Sequence, residues 1–166
     1  MEERSVTIPE FPDYDITDWG RVFNNRTGRE MVLSPNQLGE LTVGLVSHKK
    51  QYRRSVKLLV ASAFVPGETL IFDTPILLDN NRENLHYLNI EWRPRWFAWR
   101  YCRQFSEVYD WYYVGPIREI TENRLYPNII EAAIENGLLA ADIKRMIYHQ
   151  SNRTSLFPTG QIFEYI

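Results

Sequence analysis

The sequence predicts an α+β fold: a small β-rich N-terminal module, a middle of two strands and a helix, and a C-terminal helix-turn-helix with a terminal strand. Three observations carry this. Short β-branched and apolar runs in the first third are punctuated by the turn signals Asp18-Trp19-Gly20, Thr27-Gly28 and Leu38-Gly39. A mostly apolar stretch over 57–65 has helical spacing and stops at Pro66-Gly67. Near the C-terminus, two runs with helical spacing flank Asn136-Gly137, a sequence suited to a left-handed helix cap.

The elements follow in order. Arg21-Val22-Phe23 and Leu41–Val46 read as strands, His48-Lys49-Lys50-Gln51 as a basic hairpin tip, and Tyr52–Val56 as the returning strand. The helix over 57–65 puts Leu59 or Val60 and Phe64 on one face. Leu70-Ile71-Phe72 reads as an apolar strand, followed by a loop through Pro75, the polar turn Asp79-Asn80-Asn81-Arg82 and a second strand over 85–88. A helix over 94–107 places Trp96, Trp99, Arg100 and Arg103 at spacings of three and four. Residues 108–121 read as aromatic and extended. Helices are predicted over 127–135 and 140–149, then a turn at Pro158-Thr159-Gly160 and a last strand over 161–166. These elements suggest a division into domains 1–107 and 108–166.

Composition narrows the function classes. The chain has 166 residues, 44% hydrophobic and 14% aromatic, enough to bury a core. The acidic N-terminus MEERSVTIPEF does not resemble a secretory signal, and no window approaches the roughly 20 apolar residues of a membrane span, so no membrane partner is expected. Cys102 is the one cysteine, which excludes an internal disulfide and a cysteine-rich zinc site and suits a cytoplasmic setting. The net charge is −2, so there is no general attraction to nucleic acid. That charge is unevenly spread: residues 1–20 hold six acids against Arg4 alone, whereas 21–57 hold eight bases against Glu30 and Glu40. Basic segments of this kind can track a phosphate backbone.

Three blocks of residues carry a family resemblance. The first is Ile8-Pro9-Glu10-Phe11-Pro12-Asp13-Tyr14-Asp15-Ile16-Thr17-Asp18-Trp19-Gly20-Arg21-Val22, together with Val56-Lys57-Leu58-Leu59-Val60-Ala61-Ser62-Ala63-Phe64-Val65-Pro66. It is similar to the NUMOD4 motif and the apolar helix of the phage and intron-encoded HNH homing endonucleases. The second, Asp79-Asn80-Asn81-Arg82-Glu83-Asn84-Leu85-His86-Tyr87, resembles the centre of their ββα-metal unit. The third, Tyr126-Pro127-Asn128-Ile129-Ile130-Glu131-Ala132-Ala133 with Gly137, Ile143 and the final Gly160–Tyr165, resembles their NUMOD1 helix-turn-helix. The resemblance implies phage or mobile-element origin, bacterial cytoplasm during infection, and double-stranded DNA as partner.

The resemblance also implies where chemistry should sit, and there the chain departs from the pattern. The family uses an Asp-His pair on the first strand of the unit, the His as general base and the Asp as ligand to a divalent metal. Here Asp73 stands at the metal position and Thr74 at the base position, with Phe72 there on a gapless count. Neither side chain takes a proton from water near neutral pH. The following helix should return an Asn or His ligand, but PRWFAWRYCRQ contains neither. Lys57 stands where the family usually has His.

Three functions stay open. The first is a non-cutting DNA-binding protein, with Lys49, Lys50, Arg53, Arg54 and Lys57 contacting phosphates and Lys144, Arg145 and Arg153, with Gln150, placed by the C-terminal helix. The second is a reused scaffold that binds a host or phage protein through Trp96, Trp99, Arg100 and Arg103. The third is an active nuclease with a displaced site built on Asp73, Asp79 and His86. No cofactor is expected under the first two; Mg²⁺ or another divalent metal enters only if cutting survives.

Overall fold

The structure, a computed structural model, describes residues 2–149 and 155–166. It has two units, Met1–Arg95 and Trp96–Ile166. The boundary falls just inside the helix after the second hairpin, following its first residue, Arg95.

In the first unit, β1 (Ser5–Ile8), β2 (Phe11–Thr17), β3 (Val22–Asn24) and β4 (Arg29–Glu30) form an antiparallel sheet in that order. A second sheet has the order β5 (Ser34–Pro35), β6 (Leu41–Ser47), β7 (Lys50–Ser55). The β6–β7 turn is the expected tip, with His48 and Lys49 at φ 50° and 64°. The left-handed region at both central residues matches the twist of a two-residue hairpin. Helix α1 (Val56–Phe64) starts where the Ser55 hydroxyl accepts a hydrogen bond from the Leu58 N–H at 3.3 Å, and stops because Pro66 forces Val65 into extended backbone. Val56, Val60 and Ala61 of α1 are buried with Ile8, Phe11, Tyr14, Ile16, Val22, Val43 and Leu45 from both sheets. The Val46 N–H donates to the Tyr14 hydroxyl at 3.3 Å, linking the two sheets.

The hairpin that follows differs from expectation. Its strands are β8 (Thr74–Leu77) and β9 (Ile90–Arg93), paired antiparallel with Pro75 opposite Trp92. Leu70-Ile71-Phe72 is a turn: the Thr69 hydroxyl accepts from the Ile71 and Phe72 N–H groups, and the Thr69 N–H donates to the Phe72 carbonyl at 3.2 Å. A hydroxyl that satisfies two successive backbone donors competes directly with a strand ladder. The expected strand over 85–88 is instead irregular chain leading into a 3-10 turn at Tyr87–Asn89.

In the second unit, α2 (Arg95–Arg103) buries Phe97, Ala98 and Tyr101. The stretch 108–121 is not uniformly extended: Asp110–Tyr113 forms a 3-10 turn before β10 (Ile117–Glu119). The sheet order is β11 (Arg124–Tyr126), β10, β12 (Phe163–Tyr165). Helix α3 (Ile129–Asn136) begins at Asn128, whose Oδ1 accepts from the Glu131 N–H at 2.9 Å, and ends at Gly137 with φ 59°. Helix α4 (Ala140–Tyr148) follows and buries Ala140, Ile143, Met146 and Ile147. These pack with Ile117, Tyr126, Ile129, Ala132, Ala133, Leu138 and Phe163 in a separate core.

Candidate nucleic-acid interface

Within the first unit, the predicted basic residues do not share one surface. Along β7 successive side chains alternate between faces. Tyr52 and Arg54 pair with Leu45 and Val43, which are buried, so Lys50, Tyr52 and Arg54 lie on the core side of the ribbon. Arg54 sits over the Phe11 and Tyr52 rings at 5.1 and 5.3 Å and pairs with Glu10 at 3.6 Å. Gln51 and Arg53 take the opposite face. The Arg53 guanidinium donates to the Ser34 and Thr42 hydroxyls. Lys49 and Lys50 are exposed at the tip. Lys57 is only partly exposed and its ammonium lies 3.4 Å from Glu40, which also accepts from the Ser55 hydroxyl. Lys57 therefore steadies the start of α1.

The Gln51–Arg53 face opens onto a groove of about 570 Å³ whose lining includes Asn24, Thr27, Arg29, Gly44, Gln51 and Arg53. At Gly44 a Cβ would come 2.5 Å from the Gln51 amide nitrogen. Sequence reasoning missed Arg29 and Gln51 here. The signal was present: alternation separates Gln51 and Arg53 from Tyr52 and Arg54, and a glycine inside a strand marks a close approach.

On α4, residues 141, 144, 145 and 148 follow the spacing of one helix face and lie opposite the buried set. Arg145 is exposed and pairs with Asp142 at 3.2 Å. The Lys144 ammonium sits 4.4 Å above the Trp111 ring, which leaves part of its charge outward. The first turn of α4 has no capping side chain of its own. Gln104 supplies one: its Oε1 accepts from the Ala140 N–H at 3.0 Å, and its backbone carbonyl accepts from the Tyr112 hydroxyl at 2.9 Å. Gln104 is a further residue that sequence reasoning missed, because its partner is remote in sequence. Gln150 and Arg153 lie outside the described residues.

The residues weighed for nuclease chemistry occupy structural roles. Asp73 is exposed and accepts a hydrogen bond from the Thr74 hydroxyl at 2.8 Å. Asp79 closes the polar loop between β8 and β9: its carboxylate accepts from the Asn84 amide at 2.7 Å, the Asn89 amide at 2.7 Å and the Asn81 N–H at 2.8 Å. The Asp-Asn-rich motif is thus a self-capped loop. The His86 ring packs edge-on against Trp19 at 4.3 Å. Its neighbours join that loop to the Asp18-Trp19-Gly20 turn: the Tyr87 N–H donates to the Asp18 carbonyl at 2.9 Å, and Gly20, at φ 82°, lies against Leu85. Asp18 itself is buried. Burial works against its charge, but hydrogen bonds from the Arg4 guanidinium and N–H outweigh this and hold its carboxyl below the ordinary value. Among the described residues, no three His, Cys, Asp or Glu side chains are grouped to hold a metal ion, so Asp73, Asp79 and His86 do not form a donor set. Helix α2 presents Trp96, Trp99, Arg100 and Arg103 to solvent, with the Arg103 guanidinium over the Trp99 ring at 5.2 Å.

A β-rich N-terminal part, two antiparallel strands around a polar loop, a helix directly after them and a C-terminal helix pair make up an α+β architecture. A solved structure of the HNH homing endonuclease I-HmuI, described for its DNA binding and cleavage, is similar to this chain with a TM-score of 0.55. The likeness covers 100% of this chain and 98% of that chain at 20% sequence identity, and it establishes the fold. No protein family and no curated protein matches the chain. Among the described residues, no helix is long and apolar enough to cross a membrane.

Proposed function

We propose that this chain binds double-stranded DNA without cutting it, on the scaffold of an HNH homing endonuclease. The observation that carries this reading is the mismatch between architecture and chemistry. The HNH-type fold extends over the whole chain, yet the side chains at the expected reacting positions cannot do the reaction. Hydrolysis of a phosphodiester needs a base to deprotonate water and a metal to stabilise the leaving oxygen. Thr74 is no base near neutral pH. Asp73 is one carboxylate, α2 offers neither Asn nor His, and Asp79 is committed to its own loop. These donors do not fit a catalytic metal.

The cations left outward suit a phosphate backbone: Lys49 and Lys50 at the hairpin tip, Arg29 and Arg53 along the groove, and Lys144 and Arg145 on α4. Phosphate contacts supply affinity; the Gln51 amide, with a donor and an acceptor, and the Arg145 guanidinium, with donors only, can read base edges. A phage or mobile-element origin accords with the sequence resemblance. Selection from a randomised duplex pool tests the reading. Enrichment of defined sequences, bound equally well with and without Mg²⁺, is the expected result. Failure to retain any duplex at low salt would sink it.

A further inference from the structure

Two exposed patches of opposite character remain without a role in DNA binding. The first is the turn that replaces the expected strand. Leu70 and Ile71 are 101% and 67% exposed, on a tip held shut by the Thr69 hydroxyl. Two adjacent aliphatic side chains left in water on a turn are costly. Glu68 and Asp73 bracket them, and residues 58–81 contain no Lys or Arg. That charge repels a phosphate backbone, so DNA is not the occupant of this tip.

The second patch is the outer arc of α2. At about 100° per residue, the exposed residues fall around the helix in the order Cys102, Arg95, Trp99, Arg103, Trp96, Arg100, so that beyond Cys102 cation alternates with indole. Trp96 and Trp99 are 54% and 63% exposed, and the helix carries no acid. Phe157 stacks on one side of Trp96 at 5.5 Å, and Arg103 covers one side of Trp99. The ion pairs that touch this arc are loose, Arg100 to Asp142 and Arg103 to Glu107 both at 3.9 Å, and Arg95 has none among the described residues.

The two patches are complementary in both apolar and charged character: aliphatics between carboxylates, and indoles between guanidiniums. We propose that two copies of the chain associate through them, the Leu70–Ile71 tip of one copy seating against the Trp96–Trp99 arc of the other. Trp and Arg are the side chains that most often anchor such contacts. A contact built on so few side chains is small, so association is weak and concentration-dependent. This inference does not rest on the DNA-binding reading, and its test uses no DNA in the first step.

Sedimentation velocity of the full chain over a wide concentration range is the measurement. The wild type should show reversible association. Leu70→Ser with Ile71→Ser should weaken it roughly tenfold or more, from the apolar surface lost. Glu68→Arg with Asp73→Arg, and separately Arg95→Glu with Arg103→Glu, should each weaken it, and mixing the two charge-reversed proteins should restore a heterologous pair. Circular dichroism confirms that each variant is folded; the substituted side chains are on the surface. A monomeric wild type at every concentration, an unaffected tip variant, or charge-reversed partners that fail to recognise each other would each overturn the proposal. So would arc variants that leave association intact and weaken DNA binding in a second step, since the arc would then belong to nucleic acid.

Discussion

Replacing Gly20 by Ala should unfold the first unit far more readily than the same change at Gly28, although both residues have left-handed backbone. Gly20 has φ 82° and Gly28 has φ 70°, so each alanine carries a conformational cost of about 1–2 kcal/mol. The surroundings separate them. A Cβ on Gly28 meets nothing within 4 Å, whereas one on Gly20 would lie 2.5 Å from the Leu85 Cβ and 3.1 Å from its Cδ1. Relief requires the Asp18-Trp19-Gly20 turn and the loop at Leu85 to part, an overpacking cost of about 1–3 kcal/mol. Gly20→Ala should therefore cost about 2–5 kcal/mol in total, a large share of the 5–15 kcal/mol typical of a small domain. Shortening Leu85 to Ala does not rescue it, because the nearest atom is the Cβ that alanine keeps. Urea unfolding of both variants, compared by midpoint at unchanged slope, reads the difference. Equal losses at the two positions would refute the claim that these two sequence motifs are held against each other.

Three further outcomes follow from the second unit and the interface. Glu119 is buried at the end of β10, where burial opposes its charge but the Glu122 and Thr121 N–H groups of the following turn, at 2.7 and 3.0 Å, outweigh that and hold its carboxyl below the ordinary value. A carboxyl lowered by folding stabilises above its unfolded pKa and loses that contribution as pH falls through the folded value. Glu119→Gln should thus lower the melting temperature near neutral pH and flatten its decline on acidification; an unchanged pH profile would count against the charged clamp. Gln104→Ala removes the cap on α4 and should cost about 1 kcal/mol in thermal stability, with DNA binding weakened through a loosened helix. Arg145→Ala should weaken binding across sequences and reduce the slope of log affinity against log salt by about 1 if it contacts a phosphate; if it reads a base instead, specificity at one position should relax.

The local grammar of the chain was readable wherever one residue decides the backbone. Pro66-Gly67 ends α1, Gly137 ends α3, and His48-Lys49 turns the β6–β7 hairpin. The errors arose where a side chain overrode an apolar pattern. Leu70-Ile71-Phe72 has strand composition, but the Thr69 hydroxyl takes its backbone donors. The true strand begins a few residues later and includes Pro75, which a two-stranded pair tolerates because one edge has no neighbour. The roles of Lys57 and Lys144 were not legible, since Glu40 and Trp111 are far away in sequence. The separation of Arg53 from Arg54 follows from strand alternation once the strand is known.

The most direct test of the central claim is cleavage of a selected, tightly bound duplex, measured with Mg²⁺ and with Mn²⁺ at enzyme concentrations well above the dissociation constant. The account predicts full retention of the duplex with both strands intact, and binding that weakens steeply between low and moderate salt. Metal-dependent nicking, abolished by Asp73→Ala or His86→Ala, would contradict it and place an active site where the structure shows a capped loop and a packed imidazole.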